Sequence, residues 1–283
     1  MFPILLDLGT HDLPLLGETH VFLPTYGALF ATATVLAWWW FLRRGRMLGV
    51  PEDKLFNLSF YTILAGILGA KLTLVVIDWE RYTQHPGELW TTLRSAGVLM
   101  GGVIAGALMF VTYARRHGLP LHSLGDAIAA PLAFAQGIGR LGCFSAGCCW
   151  GVRTSADSFF AIRFSNPAAH QQTGVPLDEW RVATQLIQMV NDLLLAALLT
   201  WLSRRRPQPA GTVFWVYVLL YSLTRGVIEF WRGDVGRGMY FGGAVSTSQV
   251  IAVAGVLVGA AMLLHGRRRL GSASPAAAAR ARR

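Results

Sequence analysis

Arg225, Glu229 and Arg232 are spaced by four and three residues, so a helix would carry all three on one face. A carboxylate between two guanidinium groups suits two roles. It can neutralise buried cations as a structural ion pair, or it can steer an arginine toward a phosphate and handle a proton. Arg140 lies in Gly137-Ile138-Gly139-Arg140-Leu141-Gly142-Cys143. Three glycines there allow a headgroup close approach, and a planar guanidinium can hold a lipid phosphate through paired hydrogen bonds. The competing role for Arg140 is an unspecific snorkelling contact with lipid. Tyr26, taken alone, reads as an interfacial aromatic residue. Lys71 reads equally as a snorkelling or ion-paired structural lysine or as part of a site. Cys143, Cys148 and Cys149 fall within seven residues. They could bind a soft metal, form a Cys143–Cys148 disulfide, or serve as small buried residues. No His or fourth Cys stands at zinc-site spacing, so small buried residues and no bound metal are expected.

The elements that must position these residues follow from composition. The chain of 283 residues is 53% hydrophobic and 14% charged, against roughly 25% charged in a soluble domain. Its mean hydropathy is +0.45. Lipid is the expected solvent. Apolar stretches run near 24–42, 56–79, 97–114, 123–142, 184–202, 211–231 and 247–265, each close to the roughly 20 residues that cross a bilayer. Small residues such as Gly66, Gly69 and Ala70, or Gly101, Gly102 and Gly106, let helices approach closely. The expected fold is an all-α, polytopic integral membrane protein with about seven transmembrane helices.

Charge orients the array. Fifteen of the 25 Lys and Arg residues lie on alternate connections and the tail, among them Arg43, Arg44, Arg46, Lys54, Arg115, Arg116 and Arg204 to Arg206. That pattern is the topology signal of a membrane protein, so the net charge of +10 calls for no nucleic-acid partner. It predicts an N-terminus outside and a C-terminus in the cytoplasm. The N-terminus has no basic n-region, so the first span is expected to stay as an anchor. Residues 1–270 are expected to form a single transmembrane domain with a small extracytoplasmic cap over about 150–182. Residues 271–283 are expected to be a disordered basic tail. With this orientation Tyr26, Lys71, Gly101, Gly102, Arg140, Arg225 and Glu229 all fall toward the outer leaflet. Ionisable residues inside spans mark sites by default.

The segment Gly139-Arg140-Leu141-Gly142-Cys143-Phe144-Ser145-Ala146-Gly147-Cys148-Cys149-Trp150-Gly151 resembles the signature of the prolipoprotein diacylglyceryl transferases, Gly-Arg-x-Gly-Asn-Phe followed by Gly-Glu-x-x-Gly. Cys143 replaces the Asn and Cys148 the Glu. Other blocks follow in order: Thr25-Tyr26-Gly27, Gly69-Ala70-Lys71-Leu72, Met100-Gly101-Gly102 with Met100 in place of a His, Thr184-Gln185-Leu186, Tyr221 with Arg225, Glu229, Phe230 and Arg232, and Ser248-Gln249.

The resemblance implies transfer of a diacylglyceryl group from phosphatidylglycerol to the lipobox cysteine of a prolipoprotein, whose signal peptide enters laterally from the membrane. It implies a bacterial inner-membrane location with the active site on the periplasmic side. By position it assigns catalysis to Arg225, Glu229 and Tyr26. It assigns substrate binding to Arg140, Lys71, Arg232, Gly101, Gly102, Gly142, Cys143, Cys148 and Gly151. No metal or diffusible cofactor is called for. The other readings are a divergent paralogue with another acceptor or only lipid binding, a small-solute transporter, and a thiol redox or metal-handling protein.

Overall fold

The computed structural model describes residues 2–13, 17–85, 87, 97–205, 208–234, 238–240, 243 and 245–271. The expected tail falls almost entirely outside them. The chain begins with two strands, β1 (Ile4–Leu13) and β2 (Gly17–Pro24), paired antiparallel. Helices α1 (Thr25–Arg46), α2 (Glu52–Ile77), α3 (Trp79–Gln84), α4 (Leu99–Arg116) and α5 (Leu121–Ala146) follow. Next come β3 (Ala161–Arg163), α6 (Pro167–Thr173), β4 (Trp180–Val182), α7 (Thr184–Arg204) and α8 (Thr212–Ile228), the last continued by a 3-10 turn over Glu229–Trp231. The chain ends with β5 (Met239–Tyr240), β6 (Val245–Ser246) and α9 (Thr247–Gly271).

All seven apolar stretches are helical. Six are long and apolar enough to span a bilayer, while α4 is not among them. Its 18 residues end in Arg115 and Arg116, which shorten its apolar run to less than roughly 20 residues. Large apolar side chains stand uncovered along the helices, such as Leu72, Val76, Leu194, Val253 and Leu257. Water would penalise such surfaces, whereas lipid does not. This is a multi-pass membrane protein built from helices, with three small two-stranded sheets outside the spans among the described residues.

The chain forms two compact units, residues 40–124 and residues 1–39 with 125–283. In the first, α2 and α4 pack along their glycines. A Cβ on Gly102 would stand 2.8 Å from the Gly66 carbonyl, and one on Gly69 would stand 2.7 Å from the Gly101 carbonyl. Gly101 and Gly102 thus have a packing role, since backbones this close leave no room for a side chain.

In the second unit, α8 packs against α9 and α7. Asp126 of α5 accepts hydrogen bonds from the Gly211 and Phe214 amides at 2.7 and 2.8 Å. It thereby satisfies amides that the start of α8 would leave unpaired. The connection between α5 and α7 carries a small folded layer. Strand β3 pairs with β4, and Trp150, Phe164, Ala169 and Val175 form its apolar core. The isolated bridge Arg153↔Arg181 lies within this layer, and Gly151↔Arg232 ties it to the chain after α8.

Candidate active site

The polar residues of the second unit collect where α5 and α8 end and where α1, α7 and α9 begin. Arg225 lies in the last turn of α8. It pairs with Glu229 across one turn and donates from Nη2 to Ser248 Oγ on α9 at 3.1 Å. Glu229 is 2% exposed. Arg232 follows the 3-10 turn and is held by Asp234 through two hydrogen bonds of 2.7 and 2.6 Å. Burial works against the Arg232 charge, but Asp234 and the nearby Cys149 outweigh it and raise its pKa above the ordinary value.

Arg140, near the end of α5, interacts electrostatically with Tyr221, Cys143, Cys149 and Asp192. Tyr221 of α8 hydrogen-bonds with it and stacks on Tyr217, which donates to Gln136 at 2.9 Å. Tyr26 opens α1 and senses the three thiols and Arg140. It lies against Gly142, where an added Cβ would stand 3.0 Å from the Tyr26 ring. The absence of a side chain at Gly142 is what admits the ring.

Asp192 is a component that the sequence reading missed. It is fully buried on α7 and accepts from Gln188 Nε2 at 2.8 Å and Asn191 Nδ2 at 3.0 Å. Its second oxygen has no hydrogen-bond partner among the described residues. Arg140 and Arg225 both act on its charge. The signal was available: an acid sits inside the predicted span 184–202, where any ionisable residue marks a site.

The three cysteines are free and partly exposed, which departs from the expectation of small buried residues. Cys143 ends up beside the other two because the chain turns sharply after α5, with Gly147 and Cys149 at φ 79° and 63°. Cys149 is held below its ordinary pKa by hydrogen bonding with Cys143 and Cys148, with Arg232 and Arg140 adding to the effect against burial. Cys148 is raised by its hydrogen bonds with Cys143 and Cys149 and by burial.

Gly151 is enclosed by backbone. An added Cβ would meet the Val182 carbonyl at 2.5 Å and the Trp231 carbonyl at 2.8 Å. Its position therefore joins the cap to the end of α8. Tyr26, Arg140, Gly142, Cys143, Cys148, Gly151, Arg225, Glu229 and Arg232 belong to this unit. Lys71, Met100, Gly101 and Gly102 belong to the unit of residues 40–124, where Lys71 is half-buried on α2.

Several guanidinium groups, two buried carboxylates and the tyrosines Tyr26 and Tyr221 lie together at one end of apolar helices, a candidate site rich in donors for an anion. A family model described as prolipoprotein diacylglyceryl transferase matches residues 16–265, and the chain belongs to that family. Among its relatives, the phosphatidylglycerol–prolipoprotein diacylglyceryl transferase 2 of Clostridium perfringens is 33% identical over 253 residues, covering 87% of this chain and 94% of that protein. The phosphatidylglycerol–prolipoprotein diacylglyceryl transferase of Clostridium tetani is 34% identical over 235 residues, covering 83% and 89%. A protein of the same name from Limosilactobacillus reuteri is 29% identical over 230 residues, covering 81% of each chain.

Proposed function

We propose that this protein transfers a diacylglyceryl group from phosphatidylglycerol to the thiol of a prolipoprotein lipobox cysteine, in the bacterial inner membrane, with its site facing the periplasm. The two compact units are read as one transferase domain, and the prolipoprotein signal peptide as entering from the membrane. The observation that carries the reading is the grouping of Arg140, Arg225 and Glu229 with Asp192 and Tyr221 at one end of the spanning helices, in a member of this family.

In the reaction the substrate sulfur forms a bond to the glyceryl carbon of the lipid. The carbon–oxygen bond to phosphate breaks, and glycerol phosphate leaves. A thiol must lose its proton to be a nucleophile, and the departing phosphate needs its growing charge neutralised. Arg140 binds the phosphate through its planar donors. Arg225, fixed by Glu229 and Ser248, meets the charge that develops on the leaving oxygen or on the incoming thiolate. Tyr26 donates a hydrogen bond to the headgroup, and Arg232 adds positive potential. Met100 cannot accept a proton, so in this chain Glu229 is the group suited to receive it.

The test is to add the purified protein to phosphatidylglycerol vesicles and a lipobox peptide and to follow peptide mass. A gain of one diacylglyceryl group is expected, and Arg140→Ala abolishes it. Full activity in that variant, or no gain with the native chain, defeats the reading.

A further inference from the structure

We propose that Cys143, Cys148 and Cys149 form a three-thiolate site for one soft, thiophilic monovalent metal ion of the Cu(I) class. The proposal goes beyond lipid transfer and does not depend on it.

The three sulfurs come from the last turn of α5 and the loop after it, and all lie within 4.8 Å of one another. None is in a disulfide and all are partly exposed. With metal–sulfur bonds like the zinc–thiolate length of about 2.3 Å, three sulfurs around one ion in a plane stand about 4 Å apart. The site therefore closes on an ion by side-chain rotation alone.

The backbone holds the sulfurs in this arrangement. Cys149 has φ 63°, a conformation that non-glycine residues disfavour and that persists where its surroundings enforce it. Here Thr184 Oγ1 donates to the Cys149 carbonyl at 2.8 Å and Gln185 Nε2 to the Cys148 carbonyl at 2.7 Å. Thr173 Oγ1 donates to the Gly147 carbonyl at 3.0 Å. Thr184 and Gln185 are 2% and 1% exposed, so the donors are as fixed as the loop they hold.

Charge and ligand type select the ion. Binding sends three thiol protons to solvent and leaves one monovalent cation among three thiolates, with two net negative charges. Arg232 and Arg140 both act on Cys149 and supply two positive charges. Among the described residues, no His or carboxylate joins the three sulfurs. Structural zinc sites take four ligands, whereas soft thiolates alone suit Cu(I).

The experiment uses the full-length protein, reduced and kept anaerobic in detergent, titrated with Cu(I) against a chromophoric Cu(I) chelator. One equivalent is expected to bind, and the C143S/C148S/C149S variant binds at least about a hundredfold more weakly. A second measurement needs no variant. The native protein loaded with Cu(I) resists maleimide at all three cysteines, while the reduced, unloaded protein accepts three labels by mass. Lack of stoichiometric uptake, unchanged uptake in the triple variant, or equal labelling of loaded and unloaded protein overturns the proposal. Neither measurement reads transferase activity, so its failure is separate from failure of the transfer reading.

Discussion

Arg225 and Glu229 are joined across one helical turn, with the carboxylate side chain 1% exposed and the guanidinium 14% exposed. A buried pair of this kind can be purely structural, and the two cases separate in a double-substitution cycle. Removing one partner leaves a buried charge uncompensated, at about 3–5 kcal/mol. Arg225 keeps its bond to Ser248, which puts Glu229→Gln toward the lower end, about 3 kcal/mol. Replacing both partners by apolar groups, as Arg225→Met with Glu229→Leu, is expected to recover most of that stability. Transfer activity is expected to stay lost in the double variant. The checks are thermal unfolding in detergent and the lipobox-peptide assay. Activity that returns with stability would make the pair a structural ion pair alone.

Arg140 and Arg225 both act on the charge of Asp192, and in the proposed reaction Asp192 is expected to act through them as a positioning residue. Asp192→Asn removes the charge and brings an amide toward Gln188 and Asn191, which already donate to this position. Loss of a charged hydrogen-bonding neighbour is worth about 1.5–3 kcal/mol, so transfer is expected to slow about tenfold to a hundredfold. The loss is expected in kcat, with KM for phosphatidylglycerol changed less, because Arg140 keeps its place beside Tyr221. An equal loss of unfolding temperature in an otherwise active variant would mark Asp192 as structural only.

The spans were legible because lipid demands long apolar runs, and each expected stretch is found as a helix. The strand pair and short helix in the connection after Trp150 were not spelled out by its length and polarity, which mark only a stretch outside the spans. The hairpin of β1 and β2 was not anticipated, because Ile4-Leu5-Leu6 and Val21-Phe22-Leu23 are short apolar runs without a clear period of two. Register there comes from pairing between the two strands, which one strand's sequence does not state. Asp192 lies beyond the Thr184-Gln185-Leu186 block, and its meeting with Arg140 and Arg225 comes from the packing of separate helices. The close approaches of Gly101, Gly102 and Gly151 are three-dimensional facts. Sequence marks such glycines as unusual but does not say whether a ligand or a neighbouring backbone fills the space.

Gly151 and Gly139 give a contrast on that point. A methyl group at Gly151 meets two carbonyl oxygens inside 3 Å, while one at Gly139 meets nothing within 4 Å. Overpacking of this sort costs about 1–3 kcal/mol, so Gly151→Ala is expected to lower the unfolding temperature by several degrees. Gly139→Ala is expected to leave it unchanged. If Gly151 served mainly to admit lipid, its Ala variant would instead keep its stability and show a raised KM for phosphatidylglycerol.

Tyr26 and Gly142 are in contact, and their variants are expected not to add. Tyr26→Phe removes only the hydroxyl that would reach the headgroup, a loss of about 1.5 kcal/mol or about tenfold in transfer. Gly142→Ala places a methyl 3.0 Å from the Tyr26 ring and 3.5 Å from its Cα, which forces the ring aside and takes the hydroxyl with it. The two single variants should therefore lose similar activity. Once the ring is displaced, removing its hydroxyl changes little, so Y26F/G142A should match G142A alone rather than show the product of the two losses. Steady-state kinetics on the three variants decide it. A fully multiplicative loss would mean that Gly142 acts on the substrate directly and that Tyr26 has a separate role.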